Sequence, residues 1–210
     1  MGIVGVIVVP AVLIGLFWLI ARNKPFAGDV VADLSMLPER FVVYDLETTG
    51  LDPDRHEIIE IGAIRVNRDA DLHENFQTLV VPKGRIGPKI TKLTGITREM
   101  VQADGTNLVN ALTEFRNFVG DLPLVAFNAE FDDAFLLAAC STASMEPFGN
   151  ETCCALKMAR RAWPNRGSYR LADLARDGNL SAEGTHRALG DCQRTMIVYA
   201  AAARRLGSYR

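Results

Sequence analysis

Histidine is scarce, with three in 210 residues (His56, His73, His186), and cysteine scarcely less so, with four (Cys140, Cys153, Cys154, Cys192). No two cysteines form a CxxC pair, and a chain this long and apolar has no need of a disulfide framework, so reduced thiols are expected. Positive charge is not in excess either. Against 25 Asp plus Glu there are 23 Lys plus Arg, a net charge of −2, which argues against a polybasic wrapper of nucleic acid. An enzyme that grips nucleic acid locally, through metal ions, is not excluded. No internal repeat and no low-complexity tract is evident. What is present is ordinary globular material: 49% apolar and 23% charged residues, enough for one good-sized domain and tight for two.

Charge is missing altogether from Met1 to Ala21, a run of Ile, Val, Leu, Gly and Phe. A helix of that length spans about 31 Å, the thickness of a bilayer's hydrocarbon core. Trp18 lies near one end, where an interfacial aromatic belongs. Pro10 and Gly15 are tolerated in membrane helices. No basic segment opens the run and no small-residue cleavage site follows it at once, so an uncleaved anchor is favoured over a signal peptide. Arg22 and Lys24 stand on its C-terminal side, which predicts a single-pass membrane protein with the rest of the chain in the cytoplasm. Residues 22–39, broken by Asn23, Pro25, Gly28 and Pro38, read as a linker, with a short helix possible from Asp29 to Leu37. The domain is then expected over 40–210.

Hydrophobic periodicity gives that domain an α/β order. Strands are predicted at Phe41–Tyr44, Ile58–Val66 and Asn75–Val81, close enough in sequence for an antiparallel meander. A helix follows at Asn107–Val119, then a strand at Leu124–Phe127 and a helix at Ala129–Cys140. Thr152–Arg161 starts extended and turns helical. Leu171–Arg176 and Arg187–Arg205 are helical. The order β-β-β-α-β-α, with more helix after it, predicts a mixed sheet flanked by helices.

Three segments carry chemistry. In Asp45-Leu-Glu47-Thr-Thr-Gly50, at the end of the first strand, the two acids leave the same face of an extended chain, about 6–7 Å apart. Such a pair repels itself unless a cation lies between, and hard oxygen ligands suit Mg²⁺ or Mn²⁺. An isolated Asp-x-Glu is usually just a solvated strand end. The apolar strand before it and Thr-Thr-Gly after it weaken that reading here. The second segment is Asn128-Ala-Glu-Phe-Asp-Asp-Ala-Phe135, where Phe131 and Phe135 share a helical face. Spacing alone does not choose among Glu130, Asp132 and Asp133. The third is His186-Arg-Ala-Leu-Gly-Asp191. Five residues apart on one helix point about 140° away from each other. His186 is therefore expected on the preceding loop, free to swing beside an Asp191 fixed on the helix, as a general base.

Taken together, these segments resemble the three exonuclease motifs of the DnaQ-like 3′–5′ exonucleases. That is the four-acid-plus-histidine group that includes polymerase proofreading subunits and ribonuclease T. The resemblance covers about residues 40–205 in the right order. It extends to Ile90-Thr-Lys-Leu93-Thr94-Gly95-Ile96-Thr97 and to Thr152–Leu174. One departure is Phe127, where proofreading members often carry His before the Asn.

The resemblance implies a ribonuclease H-like fold and selects Asp132 as the third acid. It implies two divalent ions, Mg²⁺ or Mn²⁺, on Asp45, Glu47, Asp132 and Asp191, with His186 as the base. The substrate it implies is nucleic acid with a free 3′ end, single-stranded at that end, shortened to nucleoside 5′-monophosphates. Implied substrate contacts are Glu47 on the terminal hydroxyl, Leu93, Thr94, Gly95 and Ile96 against the terminal base, and Thr48, Phe127, Asn128 and Phe131 beside them. Two alternatives stand next to it: a metal-dependent phosphodiesterase acting on short oligonucleotides, and a catalytically silent binding module. The second would be expected to lack one of the four acids or His186, and all five are present.

Overall fold

The structure is a computed structural model, and it describes residues 34, 36–70, 73–178 and 186–207. A five-stranded sheet runs in the order β3-β2-β1-β4-β5. Its strands are β1 (Arg40–Thr48), β2 (Ile58–Asn67), β3 (Glu74–Leu79), β4 (Leu124–Ala126) and β5 (Thr152–Cys154). The first three form the expected antiparallel meander, while β4 and β5 lie parallel to β1. The helices are α1 (Pro88–Thr94), α2 (Arg98–Asp104), α3 (Leu108–Val119), α4 (Ala129–Thr142), α5 (Ala155–Ala162), α6 (Leu171–Asp177) and α7 (Ala188–Gly207).

The alternation of β1 separates two cores. Val42, Tyr44 and Leu46 face α3 and α4, packing with Phe76, Leu112, Phe115, Phe135 and Leu136. Phe41 and Val43 face the other way, onto Ala155 of α5 and Cys192, Tyr199 and Ala203 of α7. The rings of Phe41 and Tyr199 meet edge-on at 5.7 Å. Asp45 and Glu47 continue the Phe41–Val43 series, so they point toward the start of α7. Period-2 alternation thus delivers the two acids to the same side as the helix that carries Asp191.

Several expectations need correction. The order β-β-β-α-β-α leaves out α1, α2 and the pairing of β5 with β4. The two missed helices are seven residues each, too short for a clear apolar period. Their signals are local instead. Pro88 opens α1 and Gly95, at φ 73°, closes it in the left-handed conformation. Thr97 caps α2 by accepting from the Met100 N–H. The first strand is longer than predicted, so Asp45 and Glu47 lie within it rather than beyond it.

Packing also begins before Arg40. Leu37 is buried against the α7-side core, and its carbonyl accepts from Arg68 Nη1 at 3.0 Å. The last residues assigned to the linker therefore belong to the domain. The expected anchor at 1–21 and six of the nine residues of the short helix at 29–37 lie outside the described residues. Among the described residues, no helix is long and apolar enough to cross a membrane.

Candidate active site

The C-terminal ends of the parallel strands β1, β4 and β5 share one edge of the sheet, the position where open α/β sheets place their sites. Two of them, β1 and β4, lead to site residues. β1 brings Asp45 and Glu47, with an irregularity in register just after Glu47. β4 leads through Asn128 into α4, whose first turn holds Asp132. The antiparallel strand β2 starts at this edge, with Glu60 directly opposite Glu47 and Gly62 opposite Asp45. The start of α7 lies on β2 so closely that a Cβ added to Gly62 would come 2.5 Å from the Leu189 nitrogen. Cys192 Sγ donates to the Gly62 carbonyl at 3.2 Å, tying the same two elements.

The three acids of the second segment separate cleanly. Glu130 is exposed and pairs with Lys157 at 2.7 Å. Asp133 accepts the Tyr44 hydroxyl at 2.6 Å, below the site on the α3–α4 face of the sheet. Asp132 is buried, and its Oδ1 accepts from the Leu46 N–H at 3.3 Å. Of the three, Asp132 is the one that lies buried beside Asp45.

His186 sits just before α7, exposed, with φ at 64°. The left-handed region is uncommon for a residue other than glycine, and histidine is among those enriched there. Its backbone N–H donates to Asp191 Oδ2 at 2.9 Å, so Asp191 reaches back from the first turn of α7 to hold the residue before it. The second oxygen of Asp191 accepts Arg194 Nη1 at 2.9 Å. One ligand atom each from Glu47, His186 and Asp191 lies within 4.8 Å of the other two. The histidine and the aspartate, far apart on an ideal helix, are brought together because the chain turns between them.

Electrostatics sets the character of the site. Burial is the first cause that lifts Glu47 to about 8, with Asp191 and Glu60 adding to it and Arg187 opposing. Burial likewise lifts Asp132 to about 8, against the pull of the Leu46 N–H. Asp45 is held well above the usual carboxylate range by burial, then by Asp132, Asp191, Glu47 and Glu60. Five carboxylates converge with two guanidiniums, Arg187 and Arg194, leaving a formal excess of three negative charges when all are ionised. Oxygen donors crowded in this way fit hard divalent cations.

The substrate-side residues divide. Leu93 is half-exposed. Ile96 is fully buried with Ile59 and Val101, so it packs the domain and offers no face to substrate, a correction to the expectation above. Thr94 is buried too, bonded to the Ile90 carbonyl and the Ile96 N–H. Gly95 is exposed at the end of α1. Thr48 is buried and donates to the Gly50 carbonyl at 2.6 Å. Asn128 is exposed, while Phe127 and Phe131 are half-buried, Phe131 lying 4.9 Å from Phe135.

The residues not foreseen are Glu60, Arg187 and Arg194. Glu60 gave a signal, an acid inside the apolar run Ile58-Ile59-Glu60-Ile61.

A mixed sheet with carboxylates converging at its parallel-strand edge, beside a histidine at a helix start, is the architecture of the ribonuclease H-like nucleases. The chain belongs to the DnaQ-like exonuclease family: a family model described as "Exonuclease" (RNase_T) matches residues 42–199. It is 36% identical over 165 residues to the DNA polymerase III subunit epsilon of Aquifex aeolicus, covering 79% of this chain and 81% of that protein. It is 40% identical over 199 residues to a putative bifunctional exonuclease/endonuclease of Mycobacterium tuberculosis, covering 90% of this chain but 30% of that protein. Among solved structures, the E. coli exonuclease I–single-stranded DNA complex shares the fold, with a TM-score of 0.69 at 20% identity, covering 83% of this chain and 41% of that one.

Proposed function

We propose that this chain is a metal-dependent 3′–5′ exonuclease that removes nucleoside 5′-monophosphates from single-stranded 3′ ends. The observation that carries this reading is the convergence of Asp45, Glu47, Asp132 and Asp191 beside His186. Those four acids would hold two Mg²⁺ or Mn²⁺ ions. Such ions, when bound, acidify a water molecule and stabilise the leaving oxygen. The protein's own groups do the rest. His186 takes the proton of the attacking water. The water oxygen bonds to phosphorus, and the bond from phosphorus to the 3′ oxygen of the neighbouring nucleotide breaks. Glu47 accepts the terminal 3′-hydroxyl, which ties cleavage to chain ends. Half-exposed Leu93 meets the terminal base. The polymerase subunits among the relatives favour DNA over RNA as substrate. We further propose that Met1–Ala21 anchors the domain to the cytoplasmic face of a membrane.

The test is digestion of labelled single-stranded DNA and RNA oligomers with Mn²⁺ or Mg²⁺, and with chelator as control. Mononucleotides released from the 3′ end are expected, and a 3′-phosphate should slow their release. Internal cuts in a circular single strand, or equal rates on blocked and free 3′ ends, would contradict the reading.

A further inference from the structure

Glu60 is fully buried near the start of β2, opposite Glu47. Each of its oxygens has a task. Oε1 accepts Arg187 Nη2 at 2.7 Å and Gln77 Nε2 at 3.0 Å. Oε2 accepts the backbone N–H of Ala188 at 2.9 Å, and Arg187 Nε lies 3.2 Å from both oxygens. One carboxylate therefore grips the side chain of the residue after His186 and the backbone of the residue after that. On its other side, His186 is held through its own N–H by Asp191 Oδ2. The left-handed His186 lies between these two holds.

Stability does not explain this arrangement. A buried ion pair is commonly matched or exceeded in stability by apolar residues of similar volume. The neighbours of Glu60 along the strand, Ile58, Ile59 and Ile61, are apolar and buried. What an apolar residue would not supply is a fixed, directional hold on residues 187 and 188.

We propose that Glu60 is a positioning residue for catalysis: through Arg187 and the Ala188 N–H it sets the His186 turn against Glu47 and Asp191. Glu60 itself stays out of reach of substrate. This rests on the reading of His186 as the group that takes the proton.

The test is a double-mutant cycle in the full chain, assayed on a 3′-labelled single-stranded oligonucleotide with saturating Mn²⁺, using Glu60→Gln, His186→Ala and the pair. Glu60→Gln should lower kcat by about 10- to 100-fold, as outer partners of a site commonly do, with KM within about twofold. The double variant should be no more than about threefold slower than His186→Ala alone, because both changes remove the same contribution. A purely structural role predicts losses that multiply. Arg187→Ala, which changes a half-exposed side chain, provides the same comparison if Glu60→Gln does not fold. Arg187→Lys should recover part of the rate. If His186→Ala is slow but Glu60→Gln matches the parent, or if the losses multiply, the positioning role falls and the reading of His186 stands. If His186→Ala itself retains the parent rate, the reading of His186 fails first.

Discussion

Arg194, itself buried, places Nη1 2.9 Å from Oδ1 of Asp191, one helical turn back. This gives Asp191 a cation of its own, whereas Asp45 faces burial and the neighbouring acids. Of the five carboxylates, Asp191 and Glu60 are each paired with a guanidinium, while Asp45 is crowded by the other four.

Asp45→Asn and Asp191→Asn should both abolish turnover, and they should differ in stability. Asp45→Asn removes a charge buried among four others, so the metal-free protein should melt at the same temperature or higher at pH 8. Asp191→Asn weakens the hydrogen bonds from the His186 N–H and from Arg194 and removes the charge that faces that guanidinium, at a cost of about 1–3 kcal/mol. Calorimetric melting of the two variants in chelator checks this. Equal losses of stability, or full activity of either variant in saturating Mg²⁺, would count against the assignment.

His186→Ala should lower kcat by about 10²–10⁴, the usual worth of a positioned base. Substrate affinity, measured by equilibrium binding in Ca²⁺, should change little, since the exposed ring is not part of the core. An unchanged rate at neutral pH would make His186 structural.

The raised carboxyls make the metal-free protein sensitive to pH. Glu47 and Asp132 titrate near 8 when folded, against about 4 when unfolded. The folded state therefore binds more protons in that window, and stability falls as pH rises from about 4 to 8. On the two-metal reading, divalent ions would take the place of the protons, so Mn²⁺ should raise the melting temperature more at pH 8 than at pH 5. Melting curves across this range, with chelator and with Mn²⁺, give both slopes. A chelated protein that gains stability from pH 5 to 8 would show that the acids ionise without hindrance.

Deleting residues 1–25 should give a soluble, active enzyme, since every proposed site residue lies at Asp45 or later. The full chain should stay with membranes after carbonate washing, and external protease should spare the domain in spheroplasts. Recovery of full-length protein in the soluble fraction would remove the anchor.

Much of the site was legible because its acids obey simple periods. Asp45 and Glu47 are two apart on a strand, and the structure puts both on one face. Asp132 was not separable from its neighbours by spacing, because the choice depends on which carboxyl meets the Leu46 N–H across the sheet edge. Glu60 and Arg187 lie 127 residues apart and meet only when α7 settles on β2. That contact has no local sequence signature beyond an acid in an apolar strand. The helices α1 and α2 escaped because their signals are caps and turns, not stripes. Ile96 was misplaced for a related reason, since a residue beside a surface segment reads as exposed until the packing under it is seen.

Gly62 carries a last consequence. Ordinary contacts with a Cβ begin near 3.4 Å, and one here would meet the Leu189 nitrogen at 2.5 Å. Any side chain would have to lift the start of α7 by about 1 Å, a misplacement able to cost on the order of 10²-fold in rate. The two halves of the site, one on the sheet and one on the helix, are gauged against each other by a missing carbon atom.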